Sequence, residues 1–105
     1  MVDPKALGCL LHEMKRFDEA EKVYRDAIRA NGSDPVLQYD LGVLLGDMGR
    51  KSQAREAYEA ALKGDPLFAD CHYNLALVCE GLGKPKDAIR HMAEYRRLTA
   101  SRPTP

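Results

Sequence analysis

Cysteine and histidine side chains are the first candidates for chemistry in this chain, because both residue types bind metal ions. Cys71 and Cys79 stand eight residues apart. On one helix this separation is about 12 Å, too long for a shared metal ion or for a disulfide bond. The spacing of His72 and His91 does not complete a ligand set with them. We therefore predict no metal site here, and we interpret Cys79 as a small core residue.

A second group, Cys9, His12 and Glu13, contains the residue types of a nucleophile and a base. Cys9 and His12 would also supply two metal ligands, but the sequence offers no third one. No further residue is placed to orient the histidine, and there is no oxyanion hole or glycine-rich phosphate loop. We predict a protein without catalytic activity and without a cofactor.

Composition and charge exclude several other classes of protein. The 105 residues contain 16 Lys and Arg against 16 Asp and Glu, and zero net charge argues against nucleic-acid binding. No apolar run is long enough to span a membrane, and no signal peptide is recognisable. The three scattered cysteines do not make a disulfide framework, and free thiols are typical of a reducing compartment. We expect a cytoplasmic protein, provided that the chain is not a fragment of a targeted one.

The elements that would position these residues follow from a repeat of 34 residues, which superimposes the chain on itself without a gap. The three copies are residues 1–34, 35–68 and 69–102, and we predict that residues 103–105 form a disordered tail. The shift aligns Leu7, Leu41 and Leu75; Gly8, Gly42 and Ala76; Ala20, Ala54 and Ala88; and Tyr24, Tyr58 and Met92. The small residues predict closely packed helices, since packed interiors tolerate little extra volume.

Each copy is predicted to contain two helices, which we call helix A and helix B. Asp3 and Asp34, each followed by proline, are typical of the start of helix A. Asp18 and Ser52 are predicted to start helix B. No segment alternates apolar and polar residues as a strand would, so the predicted class is all-α. One hairpin cannot bury both faces of its helices, whereas three stacked hairpins can.

At these positions the chain resembles the tetratricopeptide repeat (TPR) family. The second copy carries most of the family pattern, in Leu41, Gly42, Leu45, Ala54, Tyr58, Ala61 and Pro66. The third copy departs furthest, with Met92 and Tyr95 in place of an aromatic residue and an alanine. The resemblance implies a right-handed α-solenoid of three antiparallel helix hairpins in a single domain over residues 1–102. It also implies a concave groove, lined by the A helices, which in this family typically binds a peptide or partner protein without catalysis.

The resemblance also indicates which residues would line the groove. By their place in the repeat these are Lys5, Cys9, His12, Tyr39, Asp40, Val43, Asp47, Asp70, Tyr73, Asn74 and Leu77. Tyrosine offers a large contact at low entropic cost, and asparagine can donate to and accept from a peptide backbone. We predict that Tyr39, Tyr73 and Asn74 contact a bound peptide or protein, with packing against the neighbouring helix as the alternative.

The charge of these positions bears on the partner. Family members that bind the acidic C-terminal tails of heat-shock chaperones use basic and amide donors in the groove, of which this chain keeps Lys5. Asp40 and Asp70 stand at donor positions, where like charge repels a carboxylate, so we predict that such tails are not the ligand. Together with Asp47 and Glu80 they predict an unidentified partner of basic character, unless these acids only keep the groove solvated.

The last helix leaves an apolar surface that no later repeat covers. Arg96 replaces the apolar residue found at this position in the other copies, Ile28 and Leu62. Four apolar residues nevertheless remain on the helix: Ile89, Met92, Tyr95 and Leu98. We predict that they support a weak homodimer. The alternative function is therefore a structural or self-assembling module that associates through its uncapped terminal helices.

Overall fold

Six α-helices in antiparallel pairs make up the chain in this computed structural model, which describes residues 2–100. The helices are α1 (Pro4–Glu13), α2 (Phe17–Asn31), α3 (Pro35–Asp47), α4 (Lys51–Gly64), α5 (Ala69–Gly81) and α6 (Pro85–Thr99). The predicted all-α class and the solenoid of three helix hairpins are confirmed, and residues 2–100 contain no strand. None of these helices is both long enough and apolar enough to cross a membrane. The tail predicted over residues 103–105 lies outside the described residues.

An aspartate followed by proline starts the first two A helices, as predicted. The carboxylate of Asp3 accepts a hydrogen bond from the backbone N–H of Lys5 at 3.0 Å. Asp34 accepts one from the N–H of Val36 at 2.8 Å. Proline suits the next position because the N–H that it lacks would have no partner within the helix. The same local chemistry therefore sets the start of α1 and of α3.

The first two B helices begin one residue earlier than predicted, and no side chain caps them. The predicted starts at Asp18 and Ser52 are wrong, because α2 and α4 begin before them. A backbone bond closes the preceding turn instead: the N–H of Arg16 donates to the carbonyl oxygen of Leu11 at 2.9 Å. The equivalent bond recurs in the other two hairpins. This bond satisfies a free carbonyl of helix A and directs the chain into helix B.

The turn inside each hairpin needs one residue in the left-handed region. Gly49 and Gly83 have φ angles of 78° and 73°, whereas the first hairpin places Lys15 there with φ of 60°. A side chain in this region costs roughly 1–2 kcal/mol because its Cβ crowds the backbone. The first turn is therefore the most strained of the three.

The A helices lie side by side on one face of the stack. Cα atoms of α1 and α3 approach within 8 Å, as do those of α3 and α5. Among the described helices, neither α2 and α4 nor α4 and α6 have Cα atoms that close. The stack therefore curves toward its A helices. We call the concave face formed by α1, α3 and α5 the groove.

Within the first two hairpins, a glycine of helix A lies directly against a tyrosine ring of helix B. Tyr24 and Tyr58 are buried, and a Cβ added at Gly42 would lie 2.6 Å from Cε1 of Tyr58. A Cβ at Gly8 would meet the ring of Tyr24 in the same way. No real Cβ tolerates such a contact without movement of its neighbour. The predicted close approach is therefore a ring-on-backbone contact.

Gly42→Ala should be less stable than Gly46→Ala, a matched control in the same helix where an added Cβ meets nothing within 4 Å. Alanine favours the helix by about 1 kcal/mol at either position. At Gly42, overpacking against Tyr58 costs about 1–3 kcal/mol. We expect urea denaturation to give a lower free energy of unfolding for Gly42→Ala than for Gly46→Ala by about this cost. Equal stabilities would show that the ring moves aside freely and that the glycine is not required.

Candidate functional site

Two side-chain contacts join α1 to the two ends of α3 along the groove, and one of them is an ion pair. His12 Nε2 lies 2.7 Å from Asp47 Oδ2, and Lys5 Nζ lies 3.2 Å from Asp34 Oδ2. Three of the predicted groove residues are thus brought to the α1–α3 boundary, but a partner within the chain already contacts each of them. A ligand at this end of the groove therefore meets charges that are partly neutralised.

Cys9 and Asp40 meet between these two contacts. Cys9 Sγ lies 3.9 Å from Asp40 Oδ2, and the hydroxyl of Tyr24 donates to the sulfur at 3.3 Å. Burial raises the pKa of the Asp40 carboxyl, and the nearby Asp34 carboxylate raises it further, although Lys5 opposes the change. A ligand cation would favour the charged carboxylate that this environment disfavours.

Tyr39 and Asn74 contact each other across the α3–α5 boundary. Asn74 Nδ2 donates to the hydroxyl of Tyr39 at 2.6 Å. The Tyr39 ring also packs against Phe68 and Tyr58, with centroid distances of 4.7 Å and 5.8 Å. Tyr39 is half-buried, as is Val43 one turn further along α3, and burial raises the pKa of Tyr39. The packing alternative therefore describes Tyr39 better than direct ligand contact does.

The groove face of α5 carries large apolar side chains that remain open to solvent. Tyr73 is 40% exposed and Leu77 is 47% exposed, and the two lie one helical turn apart. The ring of Tyr73 also contacts that of Tyr95 on α6, with 5.0 Å between centroids. Asp70 and Glu80 flank this pair and are exposed, and neither has an ion-pair partner within residues 2–100. This face combines apolar contact area with free negative charge.

A shallow pocket of about 510 Å³ opens where the groove meets the first turn. It is lined by His12, Glu13, Lys15, Phe17 and Asp47. His12 packs edge-on against Phe17, with 5.8 Å between ring centroids. The carboxylates of Glu13 and Asp47 favour a positive group in this pocket, whereas Lys15 opposes one.

Of the three cysteines, Cys9 is exposed, while Cys71 and Cys79 are buried. This agrees with the interpretation of Cys79 as a core residue. Burial raises the pKa of the Cys71 thiol to about 12 and also raises that of Cys79. Within residues 2–100, no three His, Cys, Asp or Glu side chains lie close enough together to hold a metal ion. Cys9 is therefore the accessible thiol of the groove.

The residues predicted for self-association do not share one exposed face. Ile89 is 70% exposed, whereas Met92, Tyr95 and Leu98 are half-buried. Successive steps of three residues fall short of a full helical turn, so Ile89 and Leu98 lie about half a turn apart on α6. Tyr95 contacts Tyr73. The homodimer stays a prediction, and Ile89 is the member of this set most available to support it.

A contact between two histidines is not among the predicted features of the site. His72 and His91 are buried, and their Nδ1 atoms lie 3.1 Å apart. The repeat register carries a signal for this contact, because Val23 and Ala57 occupy the place of His91 in the other repeats. A polar side chain at such a core position needs a hydrogen-bond partner. The packing of the Phe68 ring against Tyr39 is likewise not predicted by the repeat pattern.

Solved structures with this fold include MamA and a secretion chaperone. A crystal structure of MamA matches with a TM-score of 0.88 at 24% identity, over 92% of this chain and 57% of that chain. The Yersinia enterocolitica type III secretion translocator chaperone SycD matches with a TM-score of 0.89 at 18% identity, over 95% of this chain and 69% of that chain. A further SycD structure contains a peptide of the translocator YopD. The chain thus spans little more than half the length of that MamA chain, and these likenesses establish the fold.

Comparison with curated protein sequences gives no match. Family models for the tetratricopeptide repeat match residues 39–103 and residues 6–34. The first match alone covers more than half of the chain, and the two together include parts of all three repeats. The resemblance noted from the aligned residues is confirmed: this chain belongs to the tetratricopeptide repeat family.

Proposed function

We propose that this chain is a non-catalytic module that binds an extended peptide, or a segment of a partner protein, in its groove. The observation that carries the proposal is the open face of α5, where Tyr73 and Leu77 are exposed between the free carboxylates of Asp70 and Glu80. Large apolar side chains on a concave surface are unfavourable in water and favourable against a partner. The SycD structure with a bound peptide supports this kind of ligand for a protein of the same fold.

The chemistry of the groove supports a ligand whose apolar side chains are flanked by basic ones. Tyr73 and Leu77 match the apolar groups, and Asp70 and Glu80 match the cations. The side-chain oxygen of Asn74 has no protein partner within residues 2–100, so it can accept from a ligand backbone N–H. An acidic ligand would meet like charge on this face, which opposes binding.

Tyr73→Ala combined with Leu77→Ala should weaken the binding of peptides that the wild-type protein selects from a displayed random library. We expect selected peptides to carry Lys or Arg beside apolar residues. Loss of two central apolar contacts should raise their Kd at least about tenfold, measured by fluorescence anisotropy.

The matched control is Leu67→Ala combined with Ile89→Ala, which removes two exposed apolar side chains at positions outside the predicted groove set. Because these surface changes leave the groove intact, we expect the Kd to stay within about twofold of the wild-type value. Equal losses in the two double variants, or selection of acidic peptides, would contradict the proposal.

A bound peptide should also slow the alkylation of Cys9. Cys9 is exposed on the groove side of α1, whereas the buried Cys71 and Cys79 serve as internal controls for folding. We expect iodoacetamide to modify Cys9 in the free protein, and saturating peptide to slow this reaction, as followed by mass spectrometry. An unchanged rate with bound peptide would indicate that the ligand avoids the α1 side of the groove.

The second candidate function is head-to-tail association of copies, and the apolar side chains exposed on α1 and α6 favour it. Glu21 and Arg55 occupy the repeat position of Ile89, and each bridges to the following repeat: Glu21 to Arg50 at 2.7 Å, and Arg55 to Asp87 at 3.9 Å. Ile89 is 70% exposed at this linking position.

At the other end of the stack, Leu10 and Met14 are each 52% exposed. The equivalent Leu44 is fully buried in the second repeat, and Met48 is half-buried. In the stack, helix α2 packs against α3. Helix α6 of a second copy could cover the equivalent face of α1 in the same manner. A neutral apolar residue, Ile89, would then meet an apolar surface.

Ile89→Asp and Leu10→Asp should each abolish concentration-dependent association, measured by light scattering after size exclusion. A mixture of the two variants should recover heterodimers, because one intact α6 end then faces one intact α1 end. Leu67→Asp, which adds the same charge away from both ends, is the control and should associate as the wild type does. A wild-type chain that stays monomeric at all concentrations would eliminate this function.

A further inference from the structure

Two buried histidines connect the last hairpin to the turn that precedes it. His72 on α5 and His91 on α6 are 7% and 8% exposed, and their Nδ1 atoms lie 3.1 Å apart. His72 Nε2 lies 2.9 Å from the carbonyl oxygen of Pro66. One continuous set of hydrogen bonds therefore links the α4–α5 turn, α5 and α6.

The hydrogen-bond partners assign the protons of this pair. The carbonyl of Pro66 can only accept, so His72 carries its proton on Nε2 and presents a lone pair at Nδ1. His91 must then donate from Nδ1. The 3.1 Å contact can therefore hold one proton but not two. Full protonation of both rings would place two N–H groups against each other.

The surroundings of His91 disfavour a positive charge on its ring. Burial lowers its pKa below the ordinary value of 6.5, and Arg90 on α6 and Arg55 on α4 add repulsion, as does the neighbouring His72 ring. Asp87 opposes this shift, and the carboxylate of Glu94 also faces the pair. The acidic side chains only partly offset the effect of burial on the pKa of His91.

The direction of the pH effect follows from this lowered pKa. When α6 separates from α5, His91 is solvated and regains its ordinary pKa. Below about pH 6.5, the separated state takes up a proton that the packed state refuses, so separation becomes more favourable. Above that pH both states are neutral, and packing is strongest. One proton changes this equilibrium by at most about tenfold for each pH unit.

We propose that the His72–His91 pair is an acid-sensitive latch, which holds α6 against α5 at neutral pH and loosens it under mildly acidic conditions. The latch also bears on the groove, because Tyr95 of α6 packs against Tyr73. Loosening of α6 removes the support of an exposed groove side chain. The consequence that peptide affinity falls as the pH is lowered rests on the proposed binding function.

Hydrogen exchange of the free protein tests the latch without any ligand. After correction for the intrinsic effect of pH on exchange, we expect amides of α6 to lose protection between about pH 7.5 and about pH 5.5, by up to about tenfold per pH unit. Amides of α3 should keep theirs. Unchanged protection of α6 over this range would overturn the proposal.

Two variants separate the latch from general destabilisation. His91→Gln keeps a polar side chain that does not titrate, so α6 should lose its pH dependence even if its protection is lower at every pH. His12→Gln replaces the one histidine outside the pair and should keep the wild-type dependence in α6. The same pH dependence in His91→Gln and in the wild type would refute the latch.

The wild-type protein provides a measurement that does not depend on a folded variant. Proton NMR of the histidine rings should show one ring that titrates below 6.5, assigned to His91 by its contact with His72. Titration of all three rings at or above this value would refute the latch. If α6 loosens as expected while library-selected peptides bind equally at both pH values, the latch stands and its link to the groove is wrong.

Discussion

The distance between the two helices of a hairpin depends on the contact of a glycine backbone with a tyrosine ring. Gly8 and Gly42 leave the space that Tyr24 and Tyr58 fill, so both rings are buried at the centre of their repeats. The third repeat has Ala76 and Met92 at these positions, a larger residue on helix A with a flexible one on helix B. Consecutive hairpins stack with their A helices side by side. That alignment creates the groove.

Features that recur between aligned repeats could be predicted from the sequence, because each copy gives independent support for the assignment made in the others. The period is of this kind, and the proline-started A helices and the close glycine contacts recur in the first two repeats. The starts at Asp18 and Ser52 could not be predicted from side-chain patterns, since a backbone bond from Arg16 to Leu11 and its equivalents set them. Contacts between repeats, such as Tyr39 with Asn74, depend on the curvature of the stack, which a repeat alignment does not contain.

The groove divides into two chemically different halves. Near α1 the acidic side chains already have partners within the chain, since Asp47 contacts His12 and Asp34 pairs with Lys5. Along α5 the carboxylates of Asp70 and Glu80 have no ion-pair partner within residues 2–100, and apolar side chains stand between them. A ligand would gain little from the paired half and most from α5, the helix that α6 supports from behind. The weakest match to the family pattern thus lies in the repeat with the most open groove face.

Within residues 2–100, successive B helices do not approach each other closely. The two faces of the stack are therefore held together by different kinds of contact. Its concave side is joined by helix-to-helix packing, while its convex side is spanned by side chains, through the pairs of Glu21 with Arg50 and of Arg55 with Asp87. These ion pairs oppose the separation of successive repeats on the convex side. Because salt screens ion pairs that are only half-buried, we expect the solenoid to bend more easily, and its groove to vary more in width, as ionic strength rises.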